Sequence, residues 1–424
     1  MKYQAPRGTY DILPQDIKKW HYIESIIRHV TTLNNYFEVR VPIFEQLDLF
    51  QRSVGEDTDI VEKEMYTFQD KKGRELALRP EGTASIARMV VDHALHSSKR
   101  EPLRLWYEGP MFRYSRPQKG RYRQFVQFGI ECIGSSNPII DSEVIAIGWQ
   151  ILQEAKVPDV SLEINSVGCP ECRSEYNILL KEYLTKDKEK YCTDCQRRME
   201  HNPLRVFDCK NEKCQQLVTN APRMLDNLCN VCKEHFDGVE KYLDLMNVPY
   251  VVNPEIVRGL DYYTKTAFEY KINYLGAQDA LGGGGRYDGL IEYLGGPSTP
   301  AVGLSMGLER IILSLEKSGF KFPDTSALEV LIIPIGNEAI KESIGLMQEL
   351  HSAEISALIA DEDSSVGSNL KYCDKNNIPF AILIGETELR TGMYVIKDIQ
   401  QKDQSEIQKN EVVTYIKSYQ GDAV

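Results

Sequence analysis

The sequence predicts an α+β protein with two domains, and three observations support this prediction. Two runs rich in aromatic and aliphatic residues, 103–114 and 123–134, flank a basic segment and are typical of paired antiparallel strands. A cysteine-rich block of polar, helical sequence, about 168–246, interrupts the strand-rich pattern. From 326 onward, strands alternate with helices. We therefore expect an antiparallel-sheet core over 1–325 with a helical insertion at about 168–246, and an α/β domain over 326–424.

The elements of the first domain follow from hydrophobic spacing. Apolar residues at helical intervals predict an amphipathic helix at 16–36 and another at 141–156. Short strands are expected at 37–42, 65–69, 74–80, 160–166 and 250–253, with a longer strand over 257–272. A helix is expected to begin near 81 and end near 94, and 301–315 is expected to be a strand or turn that enters a helix. Between them, 281–285 is a glycine run.

The second domain has its own alternation. Strands are expected at 328–335, 356–360, 380–385 and 394–398, with helices at 337–350 and 367–376. The segment 318–325, which contains Gly319 and Pro323, is the expected linker.

Composition excludes several classes of protein. The chain has 424 residues, 42% of them hydrophobic and 26% charged, as in ordinary globular proteins. The first residues contain no apolar signal-peptide core, and the longest apolar runs are only long enough for a strand. We therefore expect a cytoplasmic protein without a membrane partner.

The most informative segment is the basic hairpin, 109–134. Five cations occur between 113 and 123 without an acidic residue, although the chain as a whole carries a net charge of −12. Such a segment favours polyanions, and phosphates above all, with a nucleotide at its base and a nucleic-acid end at its tip. A solvated hairpin tip is the alternative interpretation.

Eight of the ten cysteines form four close pairs within the insertion. Disulfides are a poor explanation in a reducing compartment, whereas four pairs supply thiolates for two all-cysteine zinc sites. Such sites would be structural, because four cysteines leave no open coordination position. Buried thiols without metal are the alternative, and the sequence leaves the pairing open. The cysteines are Cys169, Cys172, Cys192, Cys195, Cys209, Cys214, Cys229 and Cys232.

Three segments in order resemble the signature motifs of the class II aminoacyl-tRNA synthetases. The helix with VPIFE at 41–45 is similar to the dimer-forming first motif, the basic hairpin to the second, and GLSMGLER at 303–310 to the third. RPEGT at 79–83 also fits the class. VRGLDYY at 257–263, GGGRYDG at 283–289 and PRGTYDILP at 6–14 narrow the resemblance to the histidyl-tRNA synthetase family, in its bacterial form. The resemblance covers nearly the whole chain and implies a class II catalytic core, a C-terminal anticodon-binding domain and a homodimer.

The resemblance also implies a reaction. ATP and Mg²⁺ would convert L-histidine into histidyl-adenylate, from which the amino acid passes to tRNA(His). Both reactants of the first step are negatively charged, so the enzyme mainly has to position them and neutralise their charge. Arginine suits that task because its guanidinium group can donate two hydrogen bonds to phosphate oxygens. Arg113 would bind the α-phosphate and Arg258 would stabilise charge developing there, which makes these two the catalytic residues. Arg310 would bind the far phosphate or stack on adenine, with Glu309 in the same ATP-binding set.

Further roles are carried over residue by residue. Glu131 and Tyr263 would reach the imidazole nitrogens, and Glu81 with Gln127 the α-amino group. The complete histidine-binding set implied is Glu81, Gly82, Thr83, Arg113, Gln127, Glu131, Arg258, Tyr262 and Tyr263. The residues implied at the tRNA acceptor end are Arg116, Gln118, Lys119, Arg121 and Arg123.

Two positions depart from the family pattern, and two other functions compete. Ser115 stands where glutamate is common, and Gly282 where cysteine is common. One rival is a non-catalytic regulatory paralogue that binds histidine or a partner enzyme. The other is a zinc-organised RNA-binding protein without catalysis. The presence of all three expected arginines and of a C-terminal domain argues against the first, and the intact amino-acid pocket against the second.

Overall fold

The structure is a computed structural model. It describes residues 3–55, 58, 60–97, 102–207, 209–257, 260, 262–272, 280–323 and 328–420. The chain divides into two compact units, Met1–Pro323 and Asp324–Val424. Three residues of the motif VRGLDYY, namely Arg258, Gly259 and Asp261, lie outside the described residues.

Two sheets organise the first unit. The larger has eight strands in the order β1-β5-β6-β11-β10-β9-β7-β8, and the smaller has the order β2-β4-β3. Neighbours in the larger sheet are antiparallel except for the two outermost pairs, which are parallel. The strands are β1 (Phe37–Glu38), β2 (Phe44–Gln46), β3 (Thr67–Gln69), β4 (Glu75–Leu78), β5 (Leu103–Phe112), β6 (Gln124–Ile133), β7 (Val160–Ser166), β8 (Val251–Val252), β9 (Thr264–Ile272), β10 (Ala280–Arg286) and β11 (Ala301–Gly307).

Helices pack against the large sheet and form the insertion. Proline in the first turn begins three of them, the first, fourth and fifth, where its missing N–H costs no hydrogen bond. Ile23 and Ile27 of the first helix pack into one buried cluster with Val144 and Ile151 of the fourth. The helices are α1 (Pro14–Leu33), α2 (Leu47–Val54), α3 (Thr83–Asp92), α4 (Pro138–Glu154), α5 (Pro170–Thr185), α6 (Thr193–His201), α7 (Glu212–Val218), α8 (Asn230–Leu245), α9 (Leu290–Tyr293) and α10 (Leu308–Lys317). No described helix combines the length and apolar character that a bilayer span requires.

The glycine run is a central strand, β10, and this was not evident from the sequence. A Cβ atom added at Gly284 would lie 2.0 Å from the carbonyl oxygen of Gly303 on the neighbouring strand. The two backbones therefore approach too closely for any side chain, which explains glycine in a strand despite its poor β-propensity.

Other boundaries differ from the sequence prediction. The strand expected over 257–272 begins only at Thr264, because the described residues before it form a wall of the cavity described below. The strand expected over 37–42 is limited to β1, and only its two residues pair with β5. Hydrophobic and β-branched content predicted both strands, but a strand ends where its partner ends.

The insertion between β7 and β8 is helical and has its own core. Helices α5 to α8 enclose a buried cluster that includes Tyr176, Leu180 and Met199 together with several of the cysteines. One residue from outside the insertion, Val257, is buried in the same cluster and is 9% exposed. The insertion is therefore packed against the segment that follows β8.

The second unit is an α/β domain with a five-stranded sheet in the order β13-β12-β14-β15-β16. The first three strands in that order are parallel to one another. The next strand, β15, is antiparallel to β14, and β16 is antiparallel to β15. The sequence prediction missed β16, α13 and α14, of which β16 is largely polar. The elements are β12 (Val330–Pro334), β13 (Ala357–Ile359), β14 (Phe380–Ile384), β15 (Met393–Asp398), β16 (Asp403–Gln408), α11 (Asn337–Ser352), α12 (Val366–Lys375), α13 (Glu386–Thr391) and α14 (Val412–Gln420).

Candidate functional site

A cavity of about 330 Å³ opens on the large sheet of the first unit. Its walls come from the basic hairpin, the start of α3, the glycine strand β10 and the junction of β11 with α10. These segments are far apart in sequence and meet because β5, β6, β11 and β10 are neighbours in the sheet. The lining residues are Glu81, Thr83, Arg113, Ser115, Gly120, Arg121, Tyr122, Phe125, Gln127, Leu260, Tyr262, Tyr263, Glu269, Ala280, Leu281, Gly282, Gly283, Ser305, Gly307, Glu309 and Arg310.

Arg113 and Arg310 face the cavity from the base of the hairpin and from α10, respectively. Arg113 is held at the base of the hairpin, where its Nε donates to the carbonyl oxygen of Pro80 at 2.8 Å and its guanidinium lies 5.4 Å from the ring of Phe125. Burial lowers the pKa of Arg113, although nearby carboxylates oppose the shift. Arg310, on the first turn of α10, donates to the carbonyl oxygens of Gly120 and Ala280. Both cations are thus held at the cavity wall by hydrogen bonds to backbone carbonyl oxygens.

Polar acceptors lie beside Arg113. The buried carboxylate of Glu81 accepts from the backbone N–H groups of Thr83 and Ala84 at 2.7 and 2.9 Å, at the N-terminus of α3. Burial raises the pKa of Glu81, and these backbone donors and Arg113 act against that rise. The buried Oε1 of Gln127 has no hydrogen-bond partner among the described residues. An unpaired acceptor of this kind on a cavity wall favours a ligand that donates hydrogen bonds.

Glu131 lies one hydrogen bond behind the cavity wall. Its side chain is 0% exposed, and it accepts from the hydroxyl of Thr83 at 2.7 Å and from that of Tyr287 at 2.5 Å. Burial raises the pKa of Glu131 to about 8, although both hydroxyls favour the charged form. A Cβ added at Gly303 would lie 1.7 Å from Oε2 of Glu131, so only glycine leaves room for this carboxylate. A carboxylate has about four acceptor positions, so two donors do not saturate it.

Aromatic side chains complete the wall. The rings of Tyr262 and Tyr263 lie 4.7 Å apart, and Tyr262 makes an edge contact with Tyr287 at 5.7 Å. Behind them, the buried Tyr107 lies over two glycines. A Cβ at Gly82 would be 2.2 Å from its ring and one at Gly129 would be 2.4 Å from it. Of the residues implied for histidine binding, Gly82 is therefore a packing position rather than a lining one.

Glu309 joins the third motif to the hairpin. Its oxygens accept from the backbone N–H of Val126 at 2.9 and 3.1 Å and from the hydroxyl of Tyr10 at 3.1 Å. Burial raises the pKa of Glu309 to about 7, and these donors act in the opposite direction. Tyr10 belongs to PRGTYDILP, so this opening segment contributes to the site through a hydrogen bond.

The residues implied at the tRNA acceptor end do not all lie together. Arg116, Gln118 and Lys119 are exposed at the tip of the hairpin. Arg121 lines the cavity and pairs with Glu64 at 2.6 Å. Arg123 stacks on the ring of Tyr114 at 3.8 Å and supports the hairpin from the side.

Several site residues were missed by the sequence analysis. Glu269 lines the cavity from β9, and its only signal was its position on the strand that precedes the glycine run. Tyr287 belongs to GGGRYDG, but its contact with Glu131 spans 156 positions and no local pattern reveals it.

Beside Tyr287 lies a buried ionic network. Arg286 is 0% exposed and binds both carboxylate oxygens of Asp141, as well as Asp288 at 3.0 Å. The Nε2 of His235 in α8 is 3.2 Å from the same Asp141. The motif arginine therefore acts as a structural anchor between β10, α4 and α8.

The eight insertion cysteines form two groups of four. The outer cluster contains Cys169, Cys172, Cys229 and Cys232, and the inner cluster contains Cys192, Cys195, Cys209 and Cys214. Within each cluster the sulfurs lie within 4.8 Å of one another, and individual sulfur–sulfur distances include 3.4, 3.7, 3.8 and 3.9 Å. Sulfurs bound to one tetrahedral zinc at about 2.3 Å are about 3.8 Å apart, so both clusters could bind zinc.

Comparison with known proteins agrees with this architecture. The sequence profile described as Histidyl-tRNA synthetase matches residues 8–311, and the anticodon binding domain profile matches residues 329–419. A histidine–tRNA ligase from Halothermothrix orenii is 48% identical over 407 residues, which are 96% of this chain and 97% of that protein.

Solved structures agree as well. Apo histidyl-tRNA synthetase of S. aureus superimposes with a TM-score of 0.84 at 37% identity, covering 98% of this chain and 100% of that one. A Bacillus halodurans protein described as an ATP phosphoribosyltransferase regulatory subunit/histidyl-tRNA synthetase has a TM-score of 0.64 at 22% identity, covers 90% of this chain and 98% of that one, and shows the shared fold alone.

The antiparallel sheet, the basic hairpin and the C-terminal anticodon-binding domain together define a class II aminoacyl-tRNA synthetase. The profile match over most of the first unit and the 48% identity over nearly the full length then narrow the class. The chain belongs to the histidyl-tRNA synthetase family.

Proposed function

We infer that this chain ligates L-histidine to tRNA(His), and we propose how its residues do so. In the first step the histidine carboxylate attacks the α-phosphate of ATP, which gives histidyl-adenylate and pyrophosphate. In the second step the histidyl group passes to the 3′ end of the tRNA. The observation that carries the proposal is the single cavity in which Arg113 and Arg310 lie beside Glu81 and Gln127.

The arginines neutralise charge in the first step. Arg113, rigidly held by Pro80 and Phe125, binds the α-phosphate beside the amino acid. Arg310 binds the far phosphate or stacks on adenine, and Glu309 fixes that end of the cavity through Val126. For Arg258, the motif VRGLDYY alone supports the proposed role of stabilising charge that develops at the α-phosphate.

Magnesium is proposed as the metal that accompanies ATP. Glu269 and Glu309 line the cavity together with the two arginines, and carboxylate oxygens are ligands that Mg²⁺ prefers. When bound, the ion would neutralise negative charge on the triphosphate.

Histidine recognition is proposed on the opposite side of the cavity. Glu81 and Gln127 receive the α-ammonium group, and Gln127 offers an acceptor without a partner in the part of the chain described. Tyr263 and Glu131 receive the imidazole, with Thr83 between Glu131 and the cavity and Tyr262 along the wall. An apolar amino acid would leave the Glu131 carboxylate incompletely paired, which would discriminate against it.

The tRNA contacts are proposed from exposure and charge. Arg116, Gln118 and Lys119 present polar groups at the hairpin tip, where they can meet the acceptor end, with Arg121 and Arg123 supporting the hairpin. We propose that residues 1–325 form the catalytic core and that 326–424 read the anticodon. A cytoplasmic location stays a prediction.

The homodimer is also a proposal. Four large apolar side chains near the first motif are between 42% and 62% exposed, namely Phe37, Ile43, Phe44 and Phe68. Exposed apolar side chains concentrated in one segment favour burial against another protein, and a second copy is the partner that the first motif implies.

Zinc is proposed as the structural metal of both cysteine clusters. The sulfur spacing fits one tetrahedral ion in each, and burial of five of the eight thiols fits a structural role. Elemental analysis of protein prepared without chelators tests this, and the expected content is two zinc ions per chain.

Histidine-dependent ATP–pyrophosphate exchange tests the proposed reaction, with aminoacylation of tRNA(His) measured in parallel. Arg113→Ala should lose exchange and aminoacylation together, because its charge acts in the first step. Arg116→Ala, which removes an exposed charge from the same hairpin, should retain exchange and lose only the transfer to tRNA. Absence of exchange at saturating histidine would contradict the proposed ligase reaction and would favour the non-catalytic regulatory paralogue.

Arg258→Ala tests the residue outside the described part. Its charge should matter as the transition state forms, so adenylate formation should fall far more than histidine affinity. Equal losses in the two measurements would mean that Arg258 only binds substrate.

A further inference from the structure

We propose that metal binding at the outer cysteine cluster is thermodynamically coupled to histidine binding, whereas the inner cluster stabilises only the insertion. The proposal rests on the histidine pocket proposed above and assigns a positioning role to the outer cluster. Three chains of contact lead from that cluster to the pocket.

The first begins at the entry of the insertion. Cys169 follows Gly168, whose carbonyl oxygen accepts from the backbone N–H of Lys265 at 2.9 Å. The backbone N–H of Val167 in turn donates to the carbonyl oxygen of Lys265 at 2.7 Å. Lys265 lies two positions after Tyr263, and Val167 and Tyr263 share one buried apolar cluster. The first ligand pair therefore adjoins the backbone that carries a proposed imidazole contact.

The second begins at the exit of the insertion. Cys229 is the N-cap of α8, and Cys232 lies in its first turn. His235, one turn further on, reaches Asp141, which binds the buried Arg286. The next residue, Tyr287, donates to Glu131. The second ligand pair thus leads through buried polar contacts to the other proposed imidazole contact.

The third passes through the segment after β8. Glu255 pairs with Arg223 of the insertion at 2.7 Å, and Ile256 accepts a hydrogen bond from Asn165 at 2.8 Å. Val257, the next residue, is buried in the core of the insertion, and Leu260 and Tyr262 further along line the cavity. Glu255 and Val257 therefore contact the insertion, whereas Leu260 and Tyr262 line the pocket.

The inner cluster differs in connectivity. Its ligands come from one stretch, 192–214, and hydrogen bonds and sulfur contacts within that stretch join Cys192 to Cys209 and Cys214, and Asn211 to Cys209. The outer cluster instead joins residues 60 positions apart, at the two ends where the insertion leaves the core. A metal ion at the outer site fixes those ends relative to each other, because thiolate coordination and local folding are coupled.

Coupling of this kind is reciprocal. If histidine and the outer ion both favour the same arrangement of Lys265, Val257 and α8, each raises the affinity of the other by the same factor. Coupling between sites is commonly about 5- to 150-fold in affinity, and we expect a value near the lower limit.

The test measures zinc affinity in the full-length, zinc-loaded protein by competition with a chromogenic chelator, with and without L-histidine. Saturating histidine should raise the apparent affinity of one of the two ions by about fivefold or more and leave the other unchanged. Free histidine itself binds zinc, but that effect lowers the occupancy of both sites and so opposes the expected result. We call the zinc ion whose affinity rises with histidine the protected ion. Cys195→Ser, in the inner cluster, should keep this ion, and Cys172→Ser, in the outer cluster, should lose it.

Should either serine variant fail to fold, the wild-type titration still decides. Protection of one ion supports the coupling, and protection of neither or of both equally overturns it. A protein without zinc would overturn it too. ATP–pyrophosphate exchange is measured on the same preparation to separate these outcomes from failure of the proposed reaction. If the protein catalyses exchange but histidine does not change its zinc affinity, only the coupling is rejected.

A matched pair of variants tests the third chain of contact. Val257→Ala and Val218→Ala each remove two methyl groups from the core of the insertion. Of the two, only Val257 lies shortly before Leu260 and Tyr262, which line the pocket. Val257→Ala should raise KM for histidine severalfold with KM for ATP little changed and should weaken protection of the outer ion. Equal KM values for the two variants would overturn the role of Val257.

Discussion

The catalytic cavity and the cysteine-rich insertion both hold polar groups in fixed positions, but by different means. In the cavity, strand register fixes the groups, and close approach of strands excludes side chains at Gly284 and Gly303. In the insertion, short helices enclose a small core in which thiols replace much of the apolar contact. The first arrangement depends on shape, and the second depends on the zinc ions proposed for the two clusters. The two regions should therefore respond to different perturbations.

Removal of both zinc ions by a strong chelator should have the largest effect, because structural zinc contributes about 10–16 kcal/mol in small zinc-dependent folds. We expect α5 to α8 to lose helical circular dichroism and residues 168–246 to become sensitive to protease. The C-terminal unit, which contains no member of either cluster, should resist cleavage and serves as the internal control. Unchanged helical signal after complete removal of the metal would show that the core of the insertion is sufficient without it.

Breaking the buried network should have the next largest effect. Asp141→Asn removes the fully buried carboxylate that pairs with the 0% exposed Arg286 and leaves it only the partly buried Asp288, and loss of one member of a buried pair costs up to about 3–5 kcal/mol. Lys188→Ala breaks an exposed pair with Glu200 in the insertion, where a loss below about 1 kcal/mol is expected. Denaturant unfolding of both variants measures the difference. Similar losses would mean that Asp141 is not a structural anchor.

Crowding the cavity by one carbon atom should cost less. Gly303→Ala forces a Cβ atom against Glu131 and should lower the unfolding free energy by about 1–3 kcal/mol. Gly307→Ala, on the same strand, meets no atom within 4 Å and should be nearly neutral in thermal unfolding. Equal melting temperatures for the two variants would contradict the close packing described for Gly303.

The last expected effect is a slope with pH, which is small over any single pH unit. Burial raises the pKa of Glu131 from 4.5 to about 8, so the folded protein binds this proton more tightly than the unfolded chain. The resulting stabilisation is complete below about pH 4.5 and is lost as the pH rises through about 8. Glu131→Gln removes the titration, so its stability relative to wild type should rise across this window by at most about 1.4 kcal/mol per pH unit.

Unfolding free energies of wild type and Glu131→Gln, measured from pH 5 to 9, test this slope. The same substitution at the exposed Glu234 supplies the control. Parallel curves for wild type and Glu131→Gln would show that the carboxyl titrates as in the unfolded chain.

Much of the fold could be predicted from the sequence, and the reasons are local. The strands of the basic hairpin have the aromatic and β-branched content of paired strands, and the structure has them at Leu103–Phe112 and Gln124–Ile133. The helical insertion was equally evident from its composition. The strand β10 was not, because four glycines carry no β-propensity and only the contact with β11 explains them.

The candidate site could be predicted in part, for the same reason. Arg113, Gln127 and Arg310 occur in motifs, and the structure brings them to one cavity. The hydrogen bond from Tyr287 to Glu131 and the network of Asp141 and His235 could not be predicted, because they join residues about a hundred or more positions apart. The nested grouping of the thiols could not be predicted from the sequence either, since it depends on the N-terminal ends of α5 and α8 meeting.

The position of Tyr107 has a consequence for attempts to change the amino-acid specificity. Its ring occupies the volume that a side chain at Gly82 or Gly129 would need, so neither glycine tolerates substitution while the tyrosine is present. A directed-evolution library that varies either glycine alone should therefore return only the parental residue. Libraries that randomise all three positions together, with a small residue allowed at 107, are the ones in which an enlarged binding pocket can emerge.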